Sequence, residues 1–338
     1  MRFFWKSLWK RLHSTLSLGA TILPAFLLLG LLAPLLLEPP LSSLLCPGSQ
    51  AHRGLQEGLL QGILPQPCFA YGPEVRATSA LLMDFATGQV LYEKAPHKRV
   101  PPASITKIMT MLIAMEEIEA KRVSLDDIVR TSPHASQIGG SQIWLAEGEE
   151  MSLGDLMKAI AIVSANDACV AVAEHIAGSE EDFVNMMNKR ARELGLKDTH
   201  FVNPDGLPAP DHYSSAYDIA SMSRALLRYP EILKWSSTWV DYLERPSVPG
   251  GKSFLRNTNE LILRYRGADG LKTGMTEEAG YCLVGTAKRD NWRLIAVVMG
   301  AESNEARLAE VIKLLDYGFR SFDHVVMAKK GEKVGEVR

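Results

Sequence analysis

The sequence predicts an α+β fold in which an antiparallel sheet is flanked by helices and carries a large helical insertion. Three observations support it. Strand-like segments lie between residues 79 and 92, helical apolar spacing occupies residues 105–229, and strands return at residues 281–299 before a last helix. Strands that come first and return after a run of helices are typical of this class. With 46% hydrophobic and 22% charged residues among 338, the chain can form a substantial core.

The N-terminal segment is predicted to be a membrane-targeting helix. Residues 16–37 form an apolar run without charge, and it is preceded by four basic residues, which are Arg2, Lys6, Lys10 and Arg11. A run of this length matches the roughly 20 residues that cross a bilayer as a helix. Basic residues on its N-terminal side hold that end in the cytoplasm and place the rest of the chain outside. The sequence therefore predicts export across the cytoplasmic membrane.

Two interpretations of residues 1–37 stay open, a cleaved signal peptide and a permanent membrane anchor. Small residues at the usual processing positions end at Ala51, with a weaker alternative at Ala70. Residues 38–78 are rich in Pro, Gly, Ser and Gln, which predicts a linker or a removed leader. Ordered structure is expected to begin near Ser79.

The net charge and the cysteines exclude several classes of protein. A formal net charge of -2 gives no global basic field, so no nucleic-acid partner is expected. The four cysteines (Cys46, Cys68, Cys169 and Cys282) lack the close spacing of metal sites, and no metal or cofactor is expected. Cys169 and Cys282 lie in apolar runs, which predicts buried thiols. A bridge between these two stays open.

The first ordered element is predicted to be a hairpin, and helices follow it. Residues 80–85 and 90–92 flank a turn that contains Gly88, which predicts two paired strands. Apolar residues then recur at three- and four-residue spacing, which is typical of helices with one buried face. The predicted helices are residues 105–118, 153–163, 168–176, 183–194 and 218–229. Glycine or proline follows each of the last three and ends it.

Strands return in the last quarter of the chain. Residues 281–287 and 293–299 are two apolar runs with a short polar connection, which predicts a second hairpin. Residues 305–319 then form an amphipathic helix. The catalytic domain is expected to span residues 79–324, with residues 325–338 as a remnant of a further domain.

Ser104 and Lys107 lie where the first long helix is predicted to begin. They are three residues apart, so in a helix they lie on the same face. A serine hydroxyl is a poor nucleophile until a neighbouring base takes its proton. A neutral Lys107 can be that base, because burial and the positive end of the helix dipole both lower the pKa of its amine. By itself the pair also fits a helix cap followed by a solvated lysine.

Two later groups of polar residues support the pair. Ser164 and Asn166 interrupt two helical runs. Their hydroxyl and carboxamide could relay a proton to a leaving amine and hold a substrate amide, although a helix N-cap explains them as well. Lys272, Thr273 and Gly274 precede a strand. The lysine suits an anion, the threonine suits a carboxylate, and the glycine lets a substrate backbone lie along a strand edge.

Together these residues resemble a known family. The patterns S-x-x-K, S-x-N and K-T-G begin in this order at Ser104, Ser164 and Lys272, as in penicillin-binding proteins and serine β-lactamases. The residues around each motif, such as residues 102–110, look like those of the low-mass D-alanyl-D-alanine carboxypeptidases. The resemblance covers roughly residues 79–324.

The resemblance implies a role for each motif residue. Ser104 would form the acyl-enzyme with Lys107 as its general base, and Ser164 would pass a proton to the departing D-alanine. The implied substrate-binding residues are Asn166, Lys272, Thr273, Gly274 and Arg307. The backbone N–H groups of Ser104 and Met275 would form the oxyanion hole. Arg307 also fits a plain exposed position on a helix.

The function implied is removal of the terminal D-alanine from peptidoglycan stem peptides. The implied partners are a stem peptide that ends in D-Ala-D-Ala, β-lactam antibiotics as inhibitors, and the cytoplasmic membrane through the N-terminal segment. The location implied is the outer face of the cytoplasmic membrane or the cell wall space.

The chain departs from the family at its C-terminal end. Family members usually continue into a small β domain and an amphipathic membrane helix, whereas residues 325–338 resemble only the start of that domain. Residues 16–37 are therefore more strongly expected to remain as an anchor. Residues 203–207 are similar to a family loop near the site, without a role for Asp205.

Three other functions of the same fold stay open. A serine β-lactamase needs a further base for deacylation, which one class supplies in an E-x-x-L-N loop. No such pattern occurs between Asn166 and Lys272, because the segments at Glu231 and Glu260 fail it, and Ala165 replaces the aspartate of S-D-N. A non-catalytic peptidoglycan-binding or sensor protein would not need complete motifs. A transpeptidase would need the same residues and an acceptor site.

Overall fold

The structure, a computed structural model, describes residues 72–323 and residue 325. All of them belong to one compact unit, Pro65–Arg338. The predicted membrane-targeting helix, Cys46, Cys68 and the tail from residue 326 lie outside the described residues. No helix within residues 72–323 is both long and apolar enough to cross a membrane.

The centre of the fold is an antiparallel sheet. The strands are β1 (Ser79–Asp84), β2 (Val90–Lys94), β3 (Ile128–Arg130), β4 (Glu150–Ser152), β5 (Val240–Glu244), β6 (Lys252–Arg256), β7 (Ala268–Thr276), β8 (Gly280–Arg289) and β9 (Trp292–Ala301). Five of them form one sheet in the order β2-β1-β9-β8-β7. Within the described residues β7 is an edge strand. The pairs β3–β4 and β5–β6 form two small separate sheets.

Most helices lie between β2 and β7 in the sequence and form the predicted insertion. They are α1 (Lys107–Glu119), α2 (Pro133–Gln137), α3 (Leu153–Val163), α4 (Asn166–Ala177), α5 (Glu180–Glu193), α6 (Ala216–Leu226), α7 (Pro230–Ser236) and α8 (Leu261–Arg264), with α9 (Asn304–Ser321) after the last strand. The α+β class with an antiparallel sheet and a helical insertion is therefore confirmed.

The sheet buries both of its faces. Successive side chains of a strand point to opposite faces, so Leu81 packs into the core with Ile108 of α1, whereas Leu82 packs into the core with Val311 of α9. Helices thus cover the sheet on both sides. This arrangement fixes the edge strand β7 against the 3₁₀ turn that precedes α1.

Local sequence signals explain where the helices begin and end. Serine hydroxyls accept a hydrogen bond from the backbone N–H three residues on, which caps a helix N-terminus. The N-cap serines are Ser132, Ser152, Ser179, Ser215 and Ser303. Gly178 ends α4 in the left-handed conformation that glycine adopts readily.

Several details differ from the sequence-based expectations, and the helices α2, α7 and α8 and the strand β7 were not predicted as elements. The helix predicted to reach Tyr229 ends at Leu226, because Pro230 forces the residue before it out of helical geometry. The fold also begins before Ser79, since Val75 and Ala77 of the predicted linker are buried. The short strands β3 to β6 were not predicted, because three to five residues without a clear alternation carry little signal.

Candidate active site

Ser104 lies in a 3₁₀ turn, Ala103–Thr106, that leads directly into α1. A neighbouring segment packs on this turn at Gly206. A Cβ at that position would lie 1.9 Å from the Ala103 carbonyl oxygen, and its φ of 85° also favours glycine. The segment of residues 203–207 therefore packs directly on the turn that carries the predicted nucleophile.

Lys107 is fully buried, and its Nζ lies 3.0 Å from Ser104 Oγ. Two further acceptors from distant segments contact this amine. Nζ donates to Asn166 Oδ1 and to the Asp205 carbonyl oxygen, each at 2.6 Å. Burial lowers the pKa of Lys107 from its ordinary value, and the negative charges of Asp205 and Asp167 act in the opposite direction. The predicted contact between Ser104 and Lys107 is present.

These contacts determine where the lone pair of a neutral Lys107 amine points. Asn166 Nδ2 donates to the Gly139 carbonyl oxygen at 2.7 Å, so its Oδ1 faces Lys107. Asn166 Oδ1 and the Asp205 carbonyl oxygen can only accept hydrogen bonds. The two N–H bonds of the neutral amine therefore point at them, and the lone pair is left facing Ser104 Oγ. That is the geometry of a general base.

Ser164 closes α3 with a φ of 64° and is buried. Its Oγ has no hydrogen-bond partner among the described residues. Neither Ser164 nor Asn166 caps α4, since Ala165 occupies the N-cap position. A buried hydroxyl without a partner costs about 1–3 kcal/mol. The Ser164 hydroxyl is therefore available to a bound substrate, as the relay role requires.

Gly274 brings β7 against the turn of the predicted nucleophile. A Cβ on Gly274 would lie 3.0 Å from the backbone nitrogens of both Ser104 and Ile105. A side chain there would push the strand away from the Ser104 N–H. Met275 follows on the same strand, with an exposed side chain. The assignment of the Ser104 and Met275 N–H groups to an oxyanion hole stays a prediction.

Lys272 is buried on β7, and its Nζ donates to the Thr273 carbonyl oxygen at 2.9 Å. Among the described residues no carboxylate pairs with it. Burial lowers its pKa well below the ordinary value, and the positive charges of Lys107 and Arg307 lower it further. This side of the site therefore favours the arrival of an anion.

Arg307 does not lie at an exposed helical position, which the sequence had left open. It is 8% exposed. Its Nη1 donates to the carbonyl oxygens of Gly274 and Cys282 at 2.9 and 3.1 Å, and its guanidinium lies over the Tyr281 ring. Burial lowers the pKa of its guanidinium from the ordinary value. Arg307 thus fastens α9 to the strand that carries K-T-G and adds positive charge there.

Two contributors to the site were not predicted from the sequence. The Asp205 carbonyl binds Lys107, although the carboxylate of Asp205 binds only the local N–H of Leu207 among the residues that the structure describes. His212 bonds Thr106 within the S-I-T-K motif, with 2.9 Å between Nε2 and Oγ1. A carbonyl is common to all residues, and a lone histidine has many roles, so neither carried a usable signal.

The two described cysteines are buried free thiols, as predicted, and no bridge joins them. Cys169 Sγ donates to the Pro204 carbonyl oxygen at 3.1 Å. Burial raises the pKa of Cys169 to about 12 and that of Cys282 to about 11. Within residues 72–323, no cluster of His, Cys, Asp and Glu is suited to hold a metal ion.

Comparisons of the whole chain with known proteins show which proteins it is similar to, independently of the site geometry. A family profile described as D-alanyl-D-alanine carboxypeptidase matches residues 67–303. The chain is 50% identical over 262 residues to D-alanyl-D-alanine carboxypeptidase DacF of Bacillus subtilis (strain 168), which covers 78% of this chain and 67% of that protein. The structure of penicillin binding protein 6B from Escherichia coli is 40% identical with a TM-score of 0.73, and covers 79% of this chain and 84% of that one. The structure of Penicillin-Binding Protein D2 from Listeria monocytogenes in the ampicillin-bound form is 31% identical with a TM-score of 0.65. The match covers 73% of this chain and 98% of that one.

Proposed function

The chain belongs to the D-alanyl-D-alanine carboxypeptidase family, and we propose that it removes the terminal D-alanine from peptidoglycan stem peptides through an acyl-enzyme on Ser104. It is a serine-type D-alanyl-D-alanine carboxypeptidase by family and fold. The arrangement around Lys107 carries most of the support for the residue roles. Two fixed acceptors hold its N–H bonds, so that its lone pair faces Ser104 Oγ.

Acylation begins when Lys107 takes the proton of Ser104 while Oγ attacks the carbonyl carbon of the penultimate D-alanine. The negative charge on the carbonyl oxygen is stabilised by the N–H groups of Ser104 and Met275. The C–N bond then breaks, and Ser164 passes its proton to the departing amine of the terminal D-alanine while it receives the proton that Lys107 took from Ser104. Water attacks the resulting ester with the same residues acting in reverse, which releases the shortened peptide and restores Ser104.

The terminal carboxylate of the substrate binds beside Lys272 and Thr273. Positive charge from Lys272 and Arg307 favours an anion at this end of the site, and burial strengthens the attraction. The carboxylate in turn favours the charged form of Lys272, whose pKa is otherwise lowered. A peptide without this carboxylate is therefore expected to be a poor substrate.

β-Lactam antibiotics are proposed to acylate the same serine. The β-lactam amide meets the same nucleophile and the same N–H groups as the peptide. Its leaving amine stays tethered in the acyl-enzyme, so it obstructs the water that would hydrolyse the ester. Turnover of the penicilloyl-enzyme is therefore expected to be slow.

The proposed location is outside the cytoplasmic membrane, at its outer face or in the cell wall space, with attachment through residues 16–37. The support is the uncharged apolar run with basic residues before it.

A direct test measures D-alanine release from a D-Ala-D-Ala peptide, with an L-Ala-terminated peptide as control, and penicillin adducts by intact mass. We expect release only from the D-Ala peptide, one adduct on the wild type, and neither on Ser104→Ala. An adduct that survives Ser104→Ala would remove Ser104 from the mechanism.

Nitrocefin separates the alternatives. A burst near one equivalent followed by a slow phase is expected for the carboxypeptidase. Rapid sustained hydrolysis without D-alanine release would indicate a serine β-lactamase. Folded protein with neither burst nor release would indicate a peptidoglycan-binding or sensor protein.

A further inference from the structure

Thr258 lies beside the K-T-G strand, in the loop between β6 and α8. Its Oγ1 is 2.7 Å from Thr273 Oγ1. Two buried asparagines hold the loop on either side of it. Asn257 Nδ2 donates to the carbonyl oxygens of Ser236 and Thr238, and Asn257 Oδ1 accepts from the backbone N–H of Asn259. The asparagines are buried while Thr258 itself is exposed, so the loop presents this one hydroxyl at the Thr273 side of the site.

The backbone of Thr258 is also tied to the opposite side of the site. Its N–H donates to the Ile162 carbonyl oxygen at 3.1 Å, two residues before Ser164. Thr258 therefore bonds the end of α3 through its backbone and Thr273 on β7 through its side chain. It connects the strand that carries K-T-G with the helix that leads into S-x-N.

The chemistry of two hydroxyls determines the direction of the hydrogen bond once a substrate is bound. A hydroxyl has one proton to donate and two lone pairs that accept. A substrate carboxylate only accepts, so Thr273 must use its single proton for that contact. The bond between the two threonines then requires Thr258 to donate to Thr273. If the direction were reversed, Thr273 would have no proton for the substrate.

We propose that Thr258 is a positioning residue for the substrate carboxylate, and that it donates to Thr273 so that the Thr273 hydroxyl is turned toward the carboxylate. This inference rests on the proposed function. The chain of hydrogen bonds runs from Thr258 to Thr273 to the carboxylate. Each hydroxyl in such a chain polarises the next and strengthens its bond. Thr258 acts through Thr273 and takes no part in breaking the amide bond.

The test compares Thr258→Val, which keeps the shape but removes the hydroxyl, with Thr258→Ser, which keeps the hydroxyl. We expect Thr258→Val to raise KM for a D-Ala-D-Ala peptide by about two- to five-fold with little change in kcat, because it weakens binding and not bond breaking. Thr258→Ser should restore the wild-type KM. Both variants should melt with the wild type, since the side chain is exposed.

A second readout depends on the carboxylate itself. The rate constant for acylation is measured with benzylpenicillin and with its methyl ester, which lacks the anionic acceptor. The ratio of wild type to Thr258→Val should exceed one for the acid and be close to one for the ester. Equal ratios for acid and ester, or a Thr258→Val enzyme with unchanged KM, would overturn the positioning role. A wild-type chain that neither releases D-alanine nor becomes acylated would instead overturn the proposed function, and no comparison of Thr258 variants can produce that result.

Discussion

Lys107 and Lys272 are two buried lysines on opposite sides of one site, and their surroundings differ sharply. Burial lowers the pKa of both amines. The amine of Lys107 contacts a serine hydroxyl, a carboxamide oxygen and a carbonyl oxygen from three separate segments. Among the described residues, the amine of Lys272 bonds only the carbonyl of the next residue, Thr273. The Lys107 amine is thus oriented by three neutral acceptors from separate segments, whereas within residues 72–323 the Lys272 amine has one local acceptor.

The difference follows from the two tasks. A general base must direct a lone pair at one atom, which requires fixed acceptors for its N–H bonds. A cation that binds a substrate anion must instead have no carboxylate of the protein beside it, because such a carboxylate would compete with the substrate. The Lys107 side is therefore complete without substrate, whereas the Lys272 side is completed by the substrate carboxylate.

The largest expected effect is on the Lys107 side. Lys107→Ala should slow acylation by about 10²–10⁴-fold, because it removes the general base. The substitution also leaves the acceptors of Asn166 and Asp205 without their donor, so some loss of stability is expected, about 1–3 kcal/mol for each unsatisfied group. Acylation is measured as the rate of penicillin adduct formation on protein shown to be folded by its melting curve. Acylation within a few-fold of wild type would show that another group takes the proton.

A smaller effect of a different kind is expected on the Lys272 side. Lys272→Met should lower kcat/KM for a D-Ala-D-Ala peptide by about 10- to 150-fold, which corresponds to the about 1.5–3 kcal/mol of a hydrogen bond to a charged group. Stability should be unchanged or increased, because a buried amine without an opposite charge is replaced by an apolar side chain of similar size. Peptide kinetics and thermal melting measure the two results.

Thermal melting also provides the decisive contrast between the two lysines. Lys107→Ala should melt below the wild type, whereas Lys272→Met should not. If Lys272→Met destabilised the protein as much as Lys107→Ala, the Lys272 side would have a structural role that the observed contacts do not explain.

The sequence predicted the residues of the site better than the contacts among them. The spacing of Ser104 and Lys107 on a helix predicted their contact, because three residues make almost one helical turn. The acceptor on Asp205 is a backbone carbonyl, so its position depends on how the chain folds and no residue type indicates it. Arg307 fitted two positions equally well, and only the packing of α9 on the sheet decided between them.

In the fold as well, some elements could be predicted from the sequence and others could not. Long helices with regular apolar spacing and the two hairpins of the main sheet were predicted, because their periodicity extends over many residues. The strands β3 to β6 have three to five residues each. Distant partners stabilise them, as when Arg245 at the end of β5 pairs with Glu149 next to β4. A pattern so short cannot reveal such a partner.

A third experiment changes the distance between the two sides. Gly274→Ala should reduce acylation by about ten-fold, because its Cβ would press on the Ser104 and Ile105 nitrogens and displace an oxyanion donor, whose complete loss costs about 10²–10³-fold. Gly139→Ala is the matched control, since a Cβ there has open space around it. Penicillin adduct formation is measured for both. Equal rates for the two variants would show that β7 can move without harm to the reaction.

The smallest effect on activity at neutral pH is expected at His212, which supports only the Lys107 side. The Val202 N–H donates to His212 Nδ1 at 3.0 Å, so Nε2 carries the proton and donates to Thr106 Oγ1. Burial, with a smaller contribution from His200, lowers the pKa of His212 to about 4. His212→Asn should reduce kcat/KM at pH 7 by no more than a few-fold, because no atom of His212 contacts the Ser104 hydroxyl or the Lys107 amine directly. Peptide kinetics at pH 7 measure this.

The effect of His212 on the pH dependence of stability is expected to be larger than its effect on activity at pH 7. The unfolded chain binds a proton at His212 below about pH 6.5, whereas the folded protein binds it only below about pH 4. Stability is therefore lost as the pH falls from 6.5 to 4, by up to about 3 kcal/mol from this group alone. The loss is the difference in free energy of unfolding in urea between pH 7 and pH 4.5, and it should be smaller in His212→Asn than in wild type. If His212→Asn keeps the wild-type dependence, the buried imidazole is not the group that makes the stability of the protein sensitive to acid.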